Sequence, residues 1–235
     1  MRERKKNGNN VNDVNSYRDF GTDQTTIQVF YCVIVMEANI FELVRIAQIQ
    51  GGYPFRGPID EVADGKALVA QMKDVAPMRG VRWAGAVRTE LQGRKGPDWL
   101  QAGDILFVPR GSHFFAASID APPGPAVCGP HLFHIRVRPG AGVLPEFLAW
   151  QINQAPAQRQ LHAAAEGSSQ LSIRKGEIEA LRIAVPPLKQ QQRIVALATL
   201  AARERQLLQL LIQNREQELT ALASTLAHAA GFDTN

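Results

Sequence analysis

The sequence predicts an α+β (mixed α/β) domain followed by one long C-terminal α-helix, a coiled-coil dimerisation and spacer arm. Three observations predict it. Short apolar runs that read as strands are interleaved with a few helical segments, an order that suits a single sheet with helices on it. A last apolar strand, Leu181 to Val185, runs into Pro186-Pro187, where neither proline donates to a ladder and each forces extended backbone before it. From Leu188 to Ala230 there is then no Gly and no Pro, and Ala, Leu, Gln, Glu and Arg dominate up to Gly231.

That last stretch is roughly 43 residues, about 65 Å of helix at 1.5 Å per residue, more than a compact domain can cover. Ile194, Ala201, Leu208, Leu222 and Ala229 fall on one seven-residue repeat, and Ala198, Ile212, Leu219 and Leu226 on a second. A repeat sustained over about five heptads predicts a seam with a partner helix, in which Arg205 and Arg215 are polar breaks able to fix register.

Taken in order, residues 1–35 are expected to be a poorly ordered extension, since 1–26 are polar, Asn-rich and aperiodic and the apolar run Ile27–Met36 is too short to span a membrane. The globular pattern starts just after Met36, which leaves translation from Met1 or Met36 open. The domain proper is expected over 36–187, the spacer helix over 188–230 and a tail over 231–235. Phe41 to Gln50 reads as one strand closed by Gly51-Gly52, and Tyr53 to Gly65 as loop. Ala67–Met72 and Asp104–Pro109 read as strands, the second paired across Arg110-Gly111-Ser112-His113 with Phe114–Ile119. Between them the chain is broken as far as Gly96, with Pro97 to Gly103 a turn. After a proline-rich loop, Ala121–Pro125, Leu132–Val137 alternates as a strand. Pro145 opens a helix over Glu146–Asn153 that resumes after Pro156 to Ala165. A loop at Gly167–Gln170, a short strand at Leu171–Ile173 and a helical turn at Gly176–Ala180 lead to the exit strand.

The chain is long enough for a sizeable core, and its 45% hydrophobic content is that of a soluble globular protein with no membrane span. Its two cysteines, Cys32 and Cys128, stand far apart in no motif, which suits a reducing cytoplasm. The formal charge of +4 is compatible with nucleic acid without requiring it. The positive charge is concentrated: between residues 66 and 95, Lys66, Lys73, Arg79, Arg82, Arg88, Arg94 and Lys95 face only Asp74 and Glu90, with Trp83 among them. Such a segment grips phosphate, and its arginines are able to read guanine edges.

Enzyme readings fail on spacing. Gly57…Gly65-Lys66 has too many residues between its glycines for a phosphate loop, and Ala67 follows the lysine where Ser or Thr is needed. Cys128-x2-His131-x2-His134 has metal-binding residue types, but on a strand His131 and His134 point to opposite faces and no fourth ligand is near, so no metal and no cofactor is expected. Val185-Pro186-Pro187-Leu188 lacks the Asn and the aromatic ring of the amino-methyltransferase motif. No nucleophile–His–acid set has a recognisable local context, and Asp98, Asp104, Glu177 and Glu179 read as isolated caps of turns and helices.

Several stretches together resemble one family. They are Leu43-Val44-Arg45-Ile46-Ala47-Gln48-Ile49-Gln50-Gly51-Gly52, then Leu100-Gln101-Ala102-Gly103-Asp104-Ile105-Leu106-Phe107-Val108-Pro109-Arg110-Gly111, then Leu144-Pro145-Glu146-Phe147-Leu148. Gly167 with Leu171-Ser172-Ile173, Leu181-Arg182-Ile183-Ala184-Val185-Pro186-Pro187-Leu188 and Gln190-Gln191-Gln192-Arg193-Ile194-Val195 complete the set. In this order they resemble the target-recognition half of the specificity (S) subunit of type I restriction-modification systems, over about residues 41–230.

The resemblance implies a DNA-recognition subunit with no catalytic site, in which two recognition domains are held apart by two long antiparallel helices that are also the platform for adenine-methyltransferase (M) subunits, with a restriction (R) subunit joining. This sequence departs from that plan with one domain and one helix, so a homodimer through antiparallel helices, reading an interrupted palindrome in double-stranded DNA, is the expectation. The seam is expected at Ile194, Ala198, Ala201, Leu208, Ile212, Leu219, Leu222 and Leu226. The family reads bases with loops that vary, so the candidate DNA contacts come from polarity instead: Arg79, Arg82, Arg88, Arg94 and Lys95 in the basic segment; Arg110, Ser112 and His113 in the turn between two strands; Ser168, Ser169, Gln170, Arg174 and Lys175 in and after the loop near the exit strand. The alternative is a coiled-coil assembly protein, or a degenerate fragment without DNA readout.

Overall fold

The computed structural model describes residues 38–77, 80–91, 96–111, 113–167 and 171–231. The expectations for residues 1–35, for the start at Met1 or Met36 and for most of the tail lie outside them.

The centre is a four-stranded antiparallel sheet in the order β2 (Ala47–Gly51), β10 (Phe133–Val137), β7 (Ile105–Val108), β8 (Phe115–Ser118). Side chains alternate across a strand, and here each face meets a separate core. Ala47, Ile49, Ile105, Phe107, Ala116 and Ile135 face one core, and Leu106, Val108 and Ala117 face the other. This is why β7 reads as an unbroken apolar run. The first core is closed by α1 (Leu43–Ile46), α2 (Pro145–Ile152), α3 (Ala155–Ala164), α4 (Lys175–Glu179) and β11 (Arg182–Val185), through Leu43, Phe147, Leu148, Ile178 and Ile183 among others. The second is closed by a smaller sheet, in the order β6 (Val87–Thr89), β3 (Ala67–Ala70), β9 (Ala126–Cys128), through Leu68, Ala70, Ala126 and Cys128. A hairpin, β4 (Val75–Ala76) with β5 (Gly80–Val81), stands beside it.

Several expectations are corrected, among them the single sheet: the described strands fall in four separate sheets, and β4, β5 and β6 lie where the chain read as broken. Phe41 to Gln50 is two strands, β1 (Asn39–Glu42) and β2, separated by the single helical turn α1. Leu43 and Ile46 lie three apart and both bury on that turn, while the Leu43 N–H donates to Leu181 O at 2.8 Å; apolar residues at 43, 46, 47 and 49 fit either period. The short strand at Leu171–Ile173 is a pair of isolated bridges at Ser172. β9 was not foreseen: it is three residues long, flanked by Pro125, Gly129 and Pro130, and it is held by parallel pairing with β3 and burial of all three residues. Its close fit explains Gly52, because a Cβ there would stand 1.7 Å from the Gly129 carbonyl oxygen, whereas a Cβ on Gly51 would meet open space.

α5 (Leu188–Ala229) is one unbroken helix of 42 residues, about 63 Å long. β1 pairs with β11, Asn39 opposite Val185 through Glu42 opposite Arg182, and fixes the strand from which α5 departs. Gln191, fully buried, ties the root of the helix to the body: its Oε1 accepts the Leu144 N–H at 2.8 Å, and its Nε2 donates to Gly142 O and Pro186 O, each at 2.8 Å.

Candidate nucleic-acid interface and spacer helix

Two of the three predicted polar sets come together. The Arg110 turn and the segment after Gly167 form a small three-segment ladder. Gly111 N–H donates to Leu171 O at 3.3 Å and Ile173 N–H to Pro109 O at 2.9 Å, which sets Arg110 opposite Ser172. Ser172 and Glu166 exchange backbone hydrogen bonds at 2.9 and 3.1 Å. Buried Phe114 and Ile173 anchor the two segments in the main core. Arg110 and His113 are exposed. Arg174 pairs with Glu166 at 2.5 Å, and Lys175 with Glu179 at 3.2 Å along α4. Ser112, Ser168, Ser169 and Gln170 lie outside the described residues, as do Arg79, Arg94 and Lys95.

The remaining basic residues sit on the smaller sheet and its hairpin. Arg82 donates to Lys73 O at 2.7 Å, so its guanidinium staples the chain across the β4–β5 hairpin while staying exposed. Arg88 is exposed on β6 and lines a cleft of about 510 Å³ with Trp83 and Glu61. No bond or ion pair joins this set to the Arg110–Arg174 ladder among the described residues.

The structure also shows a polar cluster that sequence reasoning missed. Asp104, 3% exposed, is gripped by Arg136 through two bonds of 2.7 Å, Nε to Oδ1 and Nη2 to Oδ2. The same guanidinium reaches Asp98 Oδ1 at 3.0 Å and Trp99 O at 2.9 Å. Buried His134 sets Nε2 2.9 Å from Asp104 Oδ2. Burial alone would raise the Asp104 carboxyl; the Arg136 fork, with His134 and the Gln101 N–H at 2.7 Å, outweighs it and leaves the carboxyl at about 2. Asp98 and Asp104 are therefore not isolated turn caps, although Asp104 does cap the turn before β7. The cluster latches that turn onto β10. One signal was available: His134 and Arg136 are two apart on a strand and share a face. Cys128 is buried beside this cluster, and burial first, then Asp104 and Asp98, push its thiol well above the usual range, so it is inert. Among the described residues no His, Cys, Asp or Glu group has metal-binding geometry.

Along α5 the expected seam divides. Ile194 packs on the main core and Ala198 is half-buried, so the first two turns face the chain's own body. The body follows the helix as far as Gln209, where Pro77 at the β4–β5 hairpin lines a cleft with Thr199, Ala202, Arg205, Gln206 and Gln209. The free part of the stripe is large: Leu208, Ile212, Leu219, Leu222 and Leu226 are between 53% and 71% exposed. No helix among the described residues is long and apolar enough to cross a membrane.

No family model and no curated protein matches the sequence. Solved structures do. The HsdS subunit from Thermoanaerobacter tengcongensis aligns at 16% identity with a TM-score of 0.51, over 77% of this chain and 43% of that one. A chain from a structure titled for the complex assembly and conformational transition of the type I R-M system aligns at 16% identity with a TM-score of 0.56, over 85% of this chain and 49% of the other. The chain has the HsdS (S-subunit) fold. It spans less than half the length of each of those chains. The S-subunit fold here comprises the mixed α+β body and the long helix that leaves it at Pro186-Pro187, with Gln191 as its rivet.

Proposed function

We propose that this chain is a non-catalytic DNA sequence-recognition subunit, the specificity subunit of a type I restriction-modification system, that reads one half of a bipartite site. The observation that carries the reading is the single helix α5, rigidly rooted in a body of S-subunit fold and presenting an unpartnered leucine stripe. In this reading α5 sets the distance between two recognition bodies and is the rail on which adenine-methyltransferase subunits dock, with a restriction subunit joining the complex. The chain's own groups supply binding and geometry, and no cofactor is called for.

The stripe is covered by a second copy, its helix antiparallel about a two-fold axis. Leucines more than half exposed over some five turns are costly to leave in water. Arg215 is paired with Glu218 along the same helix at 2.6 Å and Arg205 lines the cleft with Pro77, so that with Glu204 and Glu216 one helix carries both signs of charge. Two-fold symmetry makes both half-sites alike, so the target is an interrupted palindrome. The exposed Arg82, Arg88, Arg110, His113, Arg174 and Lys175 are the described candidates for phosphate and base contacts. Co-expression with an adenine methyltransferase, followed by mapping of methylated adenines in a DNA library, is expected to give one interrupted palindrome, and light scattering a dimer. A monomer at micromolar concentration with or without the methyltransferase, or a methylation pattern indifferent to this chain, would overturn the proposal.

A further inference from the structure

We infer that Glu166 holds down the DNA affinity of this face by acting through Arg174, occupying that guanidinium until a DNA phosphate replaces it. The inference rests on the DNA-recognition reading above and names a device within it. The geometry is set by the ladder. Residues directly opposite in antiparallel pairing carry their side chains on the same face, about 5 Å apart at the Cβ. Arg110, Ser172 and Glu166 are such a row across three segments, with short Ser172 between the two charges. Arg174 follows Ser172 by two residues in extended backbone, so it joins the same face, where its Nη2 meets Glu166 Oε2 at 2.5 Å. One small face thus carries two guanidinium groups and one carboxylate, all exposed.

A lone carboxylate there is out of place for plain phosphate binding, because it repels the backbone of any duplex that approaches. Its position on Arg174 gives it a use. A phosphate loosely placed against the face gains only the Arg110 contact, since Arg174 is already paired and Glu166 repels. A phosphate held closely enough to take both guanidinium groups frees Glu166 to turn into water, which its 51% exposure allows. Any phosphate that takes Arg174 must first break this pair, so Glu166 lowers the affinity of the docking mode that uses both guanidinium groups.

The test is a double-mutant cycle in the full chain, with binding to a random-sequence duplex followed by fluorescence anisotropy over a salt series. Glu166→Gln is expected to tighten random-duplex binding roughly two- to fivefold, the range of one exposed ion pair, and to steepen the salt slope by about one phosphate contact. In an Arg174→Ala background the same change is expected to give a clearly smaller gain, since only the carboxylate's own repulsion is then relieved. An equal gain in both backgrounds would mean simple repulsion and would overturn the inference, as would no gain in either while duplex binding persists. Duplex binding absent from the wild-type chain at low salt would overturn the DNA reading itself and the inference with it. Both side chains are exposed, and thermal melts of the variants matching wild type confirm that the comparison is between folded proteins.

Discussion

Gln191→Ala is the substitution that tests most sharply how the helix is joined to the body. The wild-type amide makes three bonds of 2.8 Å from a fully buried position, and it satisfies both its acceptor and its two donors. Alanine orphans the Leu144 N–H, the Gly142 carbonyl and the Pro186 carbonyl. An orphaned buried group costs about 1–3 kcal/mol, and partial access of water at the rim of α5 lowers the sum, so a loss of about 3 kcal/mol is expected. For a chain of this size that is a drop in Tm of roughly 6–12 °C. Gln191→Glu separates the donors from the acceptor. Its carboxylate still accepts from Leu144 but faces two carbonyl oxygens, so the folded state favours the protonated form and the folded pKa lies above the unfolded one. Proton binding then favours folding, and part of the lost stability returns as pH falls toward about 4. Gln192→Ala, one residue on and exposed, is expected to stay within about 0.5 kcal/mol of wild type. Urea unfolding followed by tryptophan fluorescence reads all three. A Gln191→Ala loss below about 0.5 kcal/mol, or equal losses at 191 and 192, would refute the clamp.

The other predictions concern the latch, the stripe and the sheet edge. Asp104 has a folded pKa of about 2 against an ordinary 3.8, a lowered value, so its contribution of about 1–2 kcal/mol is present above pH 5 and is lost as pH falls toward 2; Asp104→Asn should flatten that acid limb of a pH–stability curve. Leu219→Lys is expected to give a monomer by light scattering while body stability changes by less than about 0.5 kcal/mol, because Leu219 is 66% exposed; a dimer that survives it places the seam elsewhere. Asn153 spans the free edge of β8, accepting from the Ala116 N–H and donating to the Ala116 carbonyl at 2.8 Å each, so Asn153→Ala should cost about 1–3 kcal/mol and promote aggregation, measured by thermal melt and turbidity.

The long helix was legible in the sequence because its cause is local: no Gly or Pro from Leu188 to Ala230, helix formers throughout and a proline pair before it. The hairpin β7–β8 was legible for a similar reason, since apolar runs flank one turn. The double-faced core was half legible, as an apolar run at Ile105–Val108 that did not say what lay on either side. What only the tertiary structure decided are matters of distance between residues far apart in the chain. Nothing local tells Gln191 from Gln190 or Gln192; the difference is which one faces Gly142 and Leu144. Asp104 and Arg136 are 32 residues apart and become a pair only when β7 and β10 lie side by side. Arg110 and Arg174 share a face only because Ser172 bridges two segments. Periodicity marked α5 as needing a cover, but the fold decided that Ile194 and Ala198 meet their own body and that the stripe beyond them stays exposed. Helix propensity and hydrophobic period act over a few residues and are written in order along the chain, whereas pairing across a sheet depends on the closure of the whole domain.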